Sequence, residues 1–244
     1  MEKEYIPKSA MVIHAHPDDQ EFTVAGTLAK WVRARCEIVS VVITSGDAGS
    51  NDPAHGPDYK PVLSLIREGE QKAANEVLGV QQTIFLGYAD GELVADIPLR
   101  RELTRLIRRF KPEVVMTGDP TQLFYGNGYV NHPDHRAAAQ AAIDAVFPSA
   151  GTRLIFTDLL EEGLEPHNVR RLYVHGSEKP DTWVDIADTL DVKIAALKKH
   201  ASQIGDWDVE KEMREWAAEA GKEKGLAAAE DFRVMILAEE HPES

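Results

Sequence analysis

Residues 13–21 have the sequence IHAHPDDQE, and the character of the chain changes within them. An apolar run over residues 10–15 predicts a short buried strand, and apolar periodicity over residues 21–35 predicts an amphipathic helix directly afterwards. The polar residues between them therefore lie at the carboxyl end of a strand. Because ligands bind at that edge of open α/β sheets, we expect this corner to hold a metal ion and a catalytic base.

Strand-like and helix-like segments alternate along the first 158 residues. Strands are predicted at residues 10–15, 37–44, 83–86, 113–117 and 154–157, and helices at 21–35, 62–78, 97–110 and 132–146. The segment 37–44 is β-branched and almost continuously apolar, as is typical of a strand covered on both faces. Gly26 should allow the first helix to pack closely on the sheet. The alternation predicts a Rossmann-like α/β fold with a mostly parallel sheet and helices on both faces.

The alternation loosens after residue 158. Strands are predicted at residues 171–175, 183–186 and 232–237, and helices at 190–201 and 209–220. Neither a repeat nor a clear linker separates this part from the rest of the sequence. We therefore predict one domain over residues 1–244, with a core of about 10–158 and a C-terminal α+β elaboration of about 159–244.

The composition limits the classes of partner and the location. A hydrophobic content of 43% is ordinary for a globular chain of 244 residues. The formal net charge of −14 disfavours nucleic acid and anionic membranes as partners, because both require a basic face. Cys36 is the only cysteine, which excludes an intrachain disulfide. The short charged N-terminus and the absence of a long apolar segment predict a cytoplasmic protein.

One helix carries most of the clustered positive charge. The cluster comprises Arg100, Arg101, Arg105, Arg108 and Arg109. Because the predicted helix 97–110 is amphipathic, we interpret the cluster as a solvated or subunit-facing surface.

A second reactive segment, HPDH at 132–135, follows the predicted strand 113–117 and a long loop. In a doubly wound sheet the first and fourth strands are neighbours, so the two segments should face each other at one edge. His16 and Asp19 can converge on one point, and the second segment can supply a third ligand. Two histidines and a carboxylate with an open position suit catalytic zinc.

The two motifs, HPDD at 16–19 and HPDH at 132–135, resemble the paired signature of the PIG-L/LmbE family of zinc-dependent de-N-acetylases. Weaker matches are Thr44-Ser45-Gly46-Asp47, the helix from Arg67 to Gly79, Asp90-Gly91 and His200-Ala201-Ser202-Gln203. The resemblance extends over about residues 10–203.

The resemblance implies one Zn²⁺ per subunit, or another divalent ion such as Fe²⁺. By the resemblance its ligands are His16, Asp19 and His135. Taken alone, either aspartate of the HPDD motif would more often be the N-cap of a helix. The occurrence of both motifs after the first and fourth strands favours a functional site.

The resemblance also implies catalytic roles. Asp18 is expected to be the general base, and His132 to stabilise the tetrahedral oxyanion or the leaving amine. Asp134 is expected to orient His132. The sequence departs from some sugar-deacetylating members at Val130, where they carry a tyrosine, and Tyr125 or Tyr129 is the candidate replacement.

Arg67 and Asp90 are the predicted substrate contacts. Arg67 stands on the helix after a long loop at the predicted site, although a surface ion pair with Glu70 explains it equally well. Asp90 could accept hydrogen bonds from sugar hydroxyls, although turn formation next to Gly91 is the alternative.

The expected activity is removal of the N-acetyl group from an N-acetylglucosamine-type small glycoside or disaccharide. The resemblance also implies a homo-oligomer, with a hexamer as one option. An amidase acting on a non-sugar substrate is the first alternative. A non-heme iron oxygenase also uses two histidines and one carboxylate, but the βα alternation opposes it. A non-catalytic metal-binding protein would need neither Asp18 nor His132.

Overall fold

The computed structural model describes residues 4–238. Its strands are β1 (Ser9–His14), β2 (Glu37–Thr44), β3 (Gln82–Tyr88), β4 (Val114–Gly118), β5 (Phe124–Tyr125), β6 (Tyr129–Val130), β7 (Arg171–His175), β8 (Thr182–Asp185) and β9 (Ala229–Ile236). Seven of them form one sheet in the order β3-β2-β1-β4-β7-β9-β8, while β5 and β6 form a separate hairpin.

The sheet is mostly parallel. The pairs β1–β2, β1–β4, β2–β3 and β4–β7 are parallel, and β7–β9 and β8–β9 are antiparallel. The carboxyl ends of β3, β2, β1, β4 and β7 therefore meet at one edge, where the turns carrying the HPDD and HPDH motifs also lie.

The helices cover both faces of the sheet. They are α1 (Asp19–Thr23), α2 (Ala25–Arg33), α3 (Lys60–Leu78), α4 (Ile97–Phe110), α5 (Pro133–Asp144), α6 (Asp158–Glu161), α7 (Leu190–Leu197), α8 (Ala201–Ile204) and α9 (Val209–Lys222). Alternate residues of β1 enter two separate cores: Val12 packs with α2, α7 and α9, and Met11 packs with α4 and α5. The predicted α/β architecture with helices on both faces is confirmed.

The predicted strand at residues 154–157 is wrong. These residues form turns before α6, and Leu154 is 82% exposed. The carbonyl oxygen of Ile155 accepts a hydrogen bond from the buried guanidinium of Arg108, which also bonds Thr152 and Ser149. The Arg108 side chain thus provides hydrogen-bond donors to backbone carbonyls that, in a strand, would accept from the backbone of a neighbouring strand. Arg108 is buried, so it does not belong to the solvated or subunit-facing surface predicted for the arginine cluster.

The C-terminal segment completes the sheet. The fifth parallel strand is β7, from residues 171–175, which lies directly beside β4. Gly26 of α2 packs against Ile186, the residue after β8, so closely that a Cβ on Gly26 would lie 2.8 Å from the Ile186 Cδ1. The expected close approach at Gly26 is confirmed. The single helix predicted over residues 21–35 is divided at Val24 into α1 and α2.

Within residues 4–238, each helix is too short or too polar to cross a bilayer.

Candidate active site

A cleft of about 380 Å³ opens at the carboxyl edge of the sheet. Of the eight residues that the sequence singles out, seven line it: His16, Asp18, Asp19, Arg67, Asp90, His132 and His135. The eighth, Asp134, is fully buried but lies 3.4 Å from the His16 Nε2. The turns after β1, β2 and β3 and the start of α5 therefore meet at one point.

Three side chains form a candidate metal centre. Ligand atoms of His16, Asp19 and His135 lie within 4.8 Å of one another. The His135 Nε2 is 3.0 Å from the Asp19 Oδ1, and the His16 Nδ1 is 3.6 Å from the Asp19 Oδ2. The other nitrogens are anchored, since the His16 Nε2 lies 3.0 Å from the Asp90 Oδ1 and the His135 Nδ1 lies 3.2 Å from the Asn131 Oδ1. Ligating histidines characteristically have one nitrogen held in this way.

A second group, His16, His132 and Asp134, also lies within 4.8 Å. It shares His16 with the first group. The Asp134 Oδ2 already accepts the backbone N–H of Gly91 at 2.7 Å, and the same oxygen faces the His16 Nε2. Asp134 is therefore better suited to anchoring His16 than to holding an ion.

The electrostatics of the cluster fit a divalent cation. Burial alone would lower the pKa of His16, but the carboxylates of Asp19, Asp134 and Asp90 raise it to about 12. Burial would likewise lower the pKa of His135, and Asp19 raises it above its ordinary value. Two imidazoles in an excess of negative charge, with a carboxylate between them, suit zinc or ferrous iron.

Asp18 has an unusual backbone and an unusual titration. Its φ of 92° lies in the left-handed region, which is uncommon for a residue other than glycine. Burial raises the pKa of Asp18 to about 7; Arg67 opposes this increase, and the charge of Asp19 contributes to it. A carboxyl group in this position, beside a candidate metal centre, is a candidate general base.

The guanidinium of Arg67 donates its hydrogen bonds to groups of the protein. Arg67 is 4% exposed, and its Nη2 donates to the Asp18 Oδ2 at 3.0 Å and to the carbonyl of Pro17 at 2.7 Å. Its Nη1 donates to the carbonyl of Gly46 at 3.0 Å. The guanidinium thus joins the turn after β1 to the loop after β2, and it borders the cleft without extending into it.

Asp90 is also held by the protein. Its Oδ1 lies 3.0 Å from the His16 Nε2, and its Oδ2 accepts the backbone N–H of Ala48 at 3.0 Å. The backbone N–H of Asp90 donates to the Asp47 Oδ1. This arrangement orients a candidate metal ligand, which is a different task from the predicted contact with substrate.

His132 is the N-cap of α5, which begins at Pro133. Its Nδ1 accepts the backbone N–H of Asp134 at 3.2 Å, which leaves the proton of a neutral ring on Nε2. Burial, followed by the charge of His16, lowers the pKa of His132. The Asp134 Oδ1 lies 4.0 Å from the same Nδ1. Asp134 therefore orients His132 through its backbone N–H more directly than through its carboxylate.

Of the two candidate tyrosines, Tyr129 borders the cleft.

Several other residues at the site were not identified from the sequence. Phe22 also borders the cleft, and its ring stacks on Trp207 with the centroids 5.6 Å apart. Gln71 and Glu21 form a buried pair under the turn at Asp18. The available signal for Gln71 was its position four residues after Arg67, on the same face of a helix.

Comparison with known proteins gives one consistent family. The family described as GlcNAc-PI de-N-acetylase (PIG-L) matches residues 11–146. The chain is 32% identical to a diacetylchitobiose deacetylase of Thermococcus kodakarensis, over 93% of this chain and 83% of that protein. It is 28% identical to a 1D-myo-inositol 2-acetamido-2-deoxy-alpha-D-glucopyranoside deacetylase of a Mycobacterium species (strain JLS), over 82% of this chain and 75% of that one. Its structure is similar to that of the N,N′-diacetylchitobiose deacetylase of Pyrococcus horikoshii, with a TM-score of 0.86, 31% identity and coverage of 94% and 84%.

Proposed function

Because this chain belongs to the GlcNAc-PI de-N-acetylase (PIG-L) family, we propose that it is a metal-dependent deacetylase of an N-acetylglucosamine-type small glycoside or disaccharide. The reaction hydrolyses an amide bond and gives acetate and a free amine. The observation that carries the proposal is the meeting of the HPDD and HPDH motifs in one cleft, with a ligand cluster and a separate carboxyl group beside it.

His16, Asp19 and His135 would hold the ion, which we propose to be one Zn²⁺ per subunit, with Fe²⁺ as the alternative. When bound, such an ion supplies Lewis-acid chemistry, polarising a carbonyl group and lowering the pKa of water. The anchoring of His16 by Asp90 and of His135 by Asn131 fixes which nitrogen of each ring faces the ligand cluster.

The remaining residues move protons and stabilise charge. Asp18 takes a proton from the attacking water, because its carboxyl group borders the cleft beside the ligand cluster and is not one of the proposed ligands. His132 donates its Nε2–H to the oxygen on which negative charge develops. When the C–N bond breaks, the proton taken by Asp18 is available for the departing amine. One water is consumed, and the charges balance.

The cleft favours a small substrate. Its volume of about 380 Å³ lies in the range of small-molecule sites. Phe22 and Tyr129 offer aromatic surface on a lining that is otherwise rich in hydrogen-bonding groups, a combination suited to a sugar. The net charge of −14 opposes a polyanionic polymer. We further propose that the enzyme is a homo-oligomer, which sedimentation equilibrium measures directly.

The test is to incubate the metal-loaded protein with N-acetylglucosamine and N,N′-diacetylchitobiose and to measure primary amine and acetate. We expect equal amounts of both, loss of activity on chelation, and recovery on addition of Zn²⁺. Asp18→Asn should lower the rate by about 10²- to 10⁴-fold with its metal content unchanged. Asp19→Asn should instead lose the metal.

The rival functions predict different results. Hydrolysis of simple acetamides without any action on sugars would replace the proposal with a non-sugar amidase. Consumption of O₂ by the iron-loaded protein would support an oxygenase. Full activity of Asp18→Asn would contradict the assignment of the base.

A further inference from the structure

Beneath the turn at Asp18 lies a chain of buried polar side chains that the proposed chemistry does not use. Gln71 of α3 is fully buried, and its amide is bonded at both ends. Its Oε1 accepts the backbone N–H of Asp18 at 2.9 Å. Its Nε2 donates to the two carboxylate oxygens of Glu21, at 3.0 and 3.2 Å. Glu21 is itself fully buried and lies 3.3 Å from the His200 Nε2.

The peptide bond between Pro17 and Asp18 is held at both of its polar atoms. Its carbonyl oxygen accepts from the Arg67 Nη2, and its N–H donates to the Gln71 Oε1. Arg67 and Gln71 lie one turn apart on α3 and project from the same face. Because the orientation of this peptide plane sets φ of Asp18, the two side chains together can hold the left-handed conformation at 92°. Strain of this kind persists only where the surroundings over-determine it.

Glu21 determines which way the Gln71 amide faces. A carboxylate accepts hydrogen bonds and donates none, so it selects the NH₂ end of the amide. The carbonyl end must then point at Asp18, where the backbone offers a donor. A reversed amide would place its NH₂ group against the backbone N–H of Asp18 and its carbonyl oxygen against the oxygens of Glu21, so that orientation is disfavoured.

We propose that Gln71 is a positioning residue for the general base, held in its working orientation by Glu21. Arg67 and Gln71 clamp the Pro17–Asp18 peptide, and the clamp aims the Asp18 carboxyl group at the cleft. The inference rests on the proposed function only in giving Asp18 the role of base.

The decisive variant is Gln71→Met, which keeps much of the side-chain volume and removes the hydrogen bonds at both ends of the amide. A matched control is Asn75→Leu, one turn further along α3. Asn75 is 2% exposed and bonds Gln20 and Thr83, so its loss also disrupts buried polar contacts. Its partner Gln20 donates to Glu21 as well, but the hydrogen bonds of Gln71 to Asp18 and Glu21 do not involve Asn75. Four quantities are measured for each variant: kcat, KM, metal content, and φ of Asp18 in a crystal structure.

For Gln71→Met we expect kcat to fall about 10- to 100-fold, with KM and metal content unchanged, and Asp18 to leave the left-handed region. For Asn75→Leu we expect lower stability, with kcat and the Asp18 conformation retained. Glu21→Gln should lower kcat less than Gln71→Met does, and it should have no further effect when Gln71 is already Met.

The proposal is overturned if Gln71→Met keeps wild-type kcat, if Asp18 keeps its conformation in that variant, or if Asn75→Leu loses kcat to the same extent. Should Gln71→Met fail to fold, Glu21→Gln carries the test, and its unchanged kcat would count against the clamp. If the wild-type protein releases no amine from any sugar, the proposed function fails. The conformation of Asp18 in Gln71→Met and in Asn75→Leu still decides whether the clamp exists.

Discussion

Asp18 and Asp19 are adjacent in the sequence, but the fold gives their carboxyl groups different partners. Asp19 lies between His16 and His135, and Asp18 is paired with Arg67. The charge of the two imidazoles offsets burial and holds the pKa of Asp19 well below its ordinary value, whereas burial dominates at Asp18 and raises its pKa. Two neighbouring residues of one type can therefore serve as ligand and base.

Asp90 permits a direct test of its role at this scale. If it anchors His16, Asp90→Asn should weaken metal affinity by about 10- to 100-fold and leave KM nearly unchanged at saturating metal. The measurement is a metal titration followed by steady-state kinetics. A raised KM with unchanged metal affinity would instead support the direct contact with substrate that the sequence suggested.

Cys36 provides a prediction about stability and pH. Burial, with smaller contributions from Glu113 and Glu37, raises the pKa of its thiol from an ordinary value near 9 to about 12. Below pH 9 the thiol is protonated in both the native and unfolded states, so its stabilising contribution is complete there. Between pH 9 and pH 12 the unfolded chain loses the proton and the native state keeps it, so the free energy of unfolding falls.

Urea unfolding of the wild type and of Cys36→Ala at pH 8 and pH 10 measures this effect. The wild type should lose about 1.4 kcal/mol more than the variant over that interval. Equal losses would show that the thiol ionises normally in the native protein.

At the scale of elements, α3 has one face that supports the candidate active site and another that is exposed. One face, with Arg67 and Gln71, supports the turn at Asp18. Gly69 lies on the exposed side of the same helix, where a Cβ would meet nothing within 4 Å. Gly26 in α2 is the opposite case, because a Cβ there would lie 2.8–2.9 Å from three atoms of Ile186.

These two glycines predict stability changes of opposite sign. Gly69→Ala should raise the free energy of unfolding by roughly 0.5–1 kcal/mol, because alanine loses less backbone entropy in a helix. Gly26→Ala has the same favourable effect on backbone entropy, but its Cβ must displace Ile186. We therefore expect its free energy of unfolding to fall by roughly 1–2 kcal/mol. Chemical denaturation of both variants gives the comparison. Stabilisation by both substitutions would show that Ile186 can move to make room for the added Cβ at little energetic cost.

At the scale of the whole molecule, the predicted core and the C-terminal elaboration share one sheet. β7 lies between β4 and β9, and Ile186 packs against α2. One hydrophobic core contains residues from β1, α2, α7 and α9 together. We propose that the described chain is a single folding unit, as the sequence suggested for residues 1–244, of which 1–3 and 239–244 lie outside the described part.

This proposal predicts one cooperative unfolding transition for the intact chain. A fragment ending at residue 158 should not fold, because it leaves the edge of β4 unpaired and removes α7 and α9 from one of the two cores. Circular dichroism and calorimetry of both proteins provide the test. A folded fragment with its own transition would indicate two separable units.

Metal removal should also act on the whole molecule. The ligand atoms of His16, Asp19 and His135 converge only in the folded chain, so an ion bound by them stabilises the native state over the unfolded state. An ion that binds only the native state adds about 2.7 kcal/mol of stability at a concentration 100-fold above its Kd. Thermal unfolding of the chelated protein, with and without added Zn²⁺, should show a higher Tm with the metal. A Tm that does not change when Zn²⁺ is added would contradict the proposed ligand set.

The sequence by itself determined the features that depend on local patterns. Hydrophobic periodicity identified the four strands up to β4 and the helices around them, because each pattern reflects burial of a single continuous segment. The motifs HPDD and HPDH identified the ligand candidates, because imidazole and carboxylate groups are metal ligands by their chemical nature, and two short motifs that contain both can be recognised in the sequence. The apolar residues 154–157 were misleading, since their backbone partner is the distant side chain of Arg108.

The tertiary structure alone decided which groups meet across long separations in the sequence. Asp90 and His16 are 74 residues apart by their numbers, and only the sheet order brings them to 3.0 Å. Gln71 is an ordinary polar residue of a helix until α3 packs under the turn at Asp18. The physical reason is that hydrogen bonds and Coulomb interactions act over a few ångströms in space and are indifferent to distance along the chain, whereas sequence patterns report only neighbours along it.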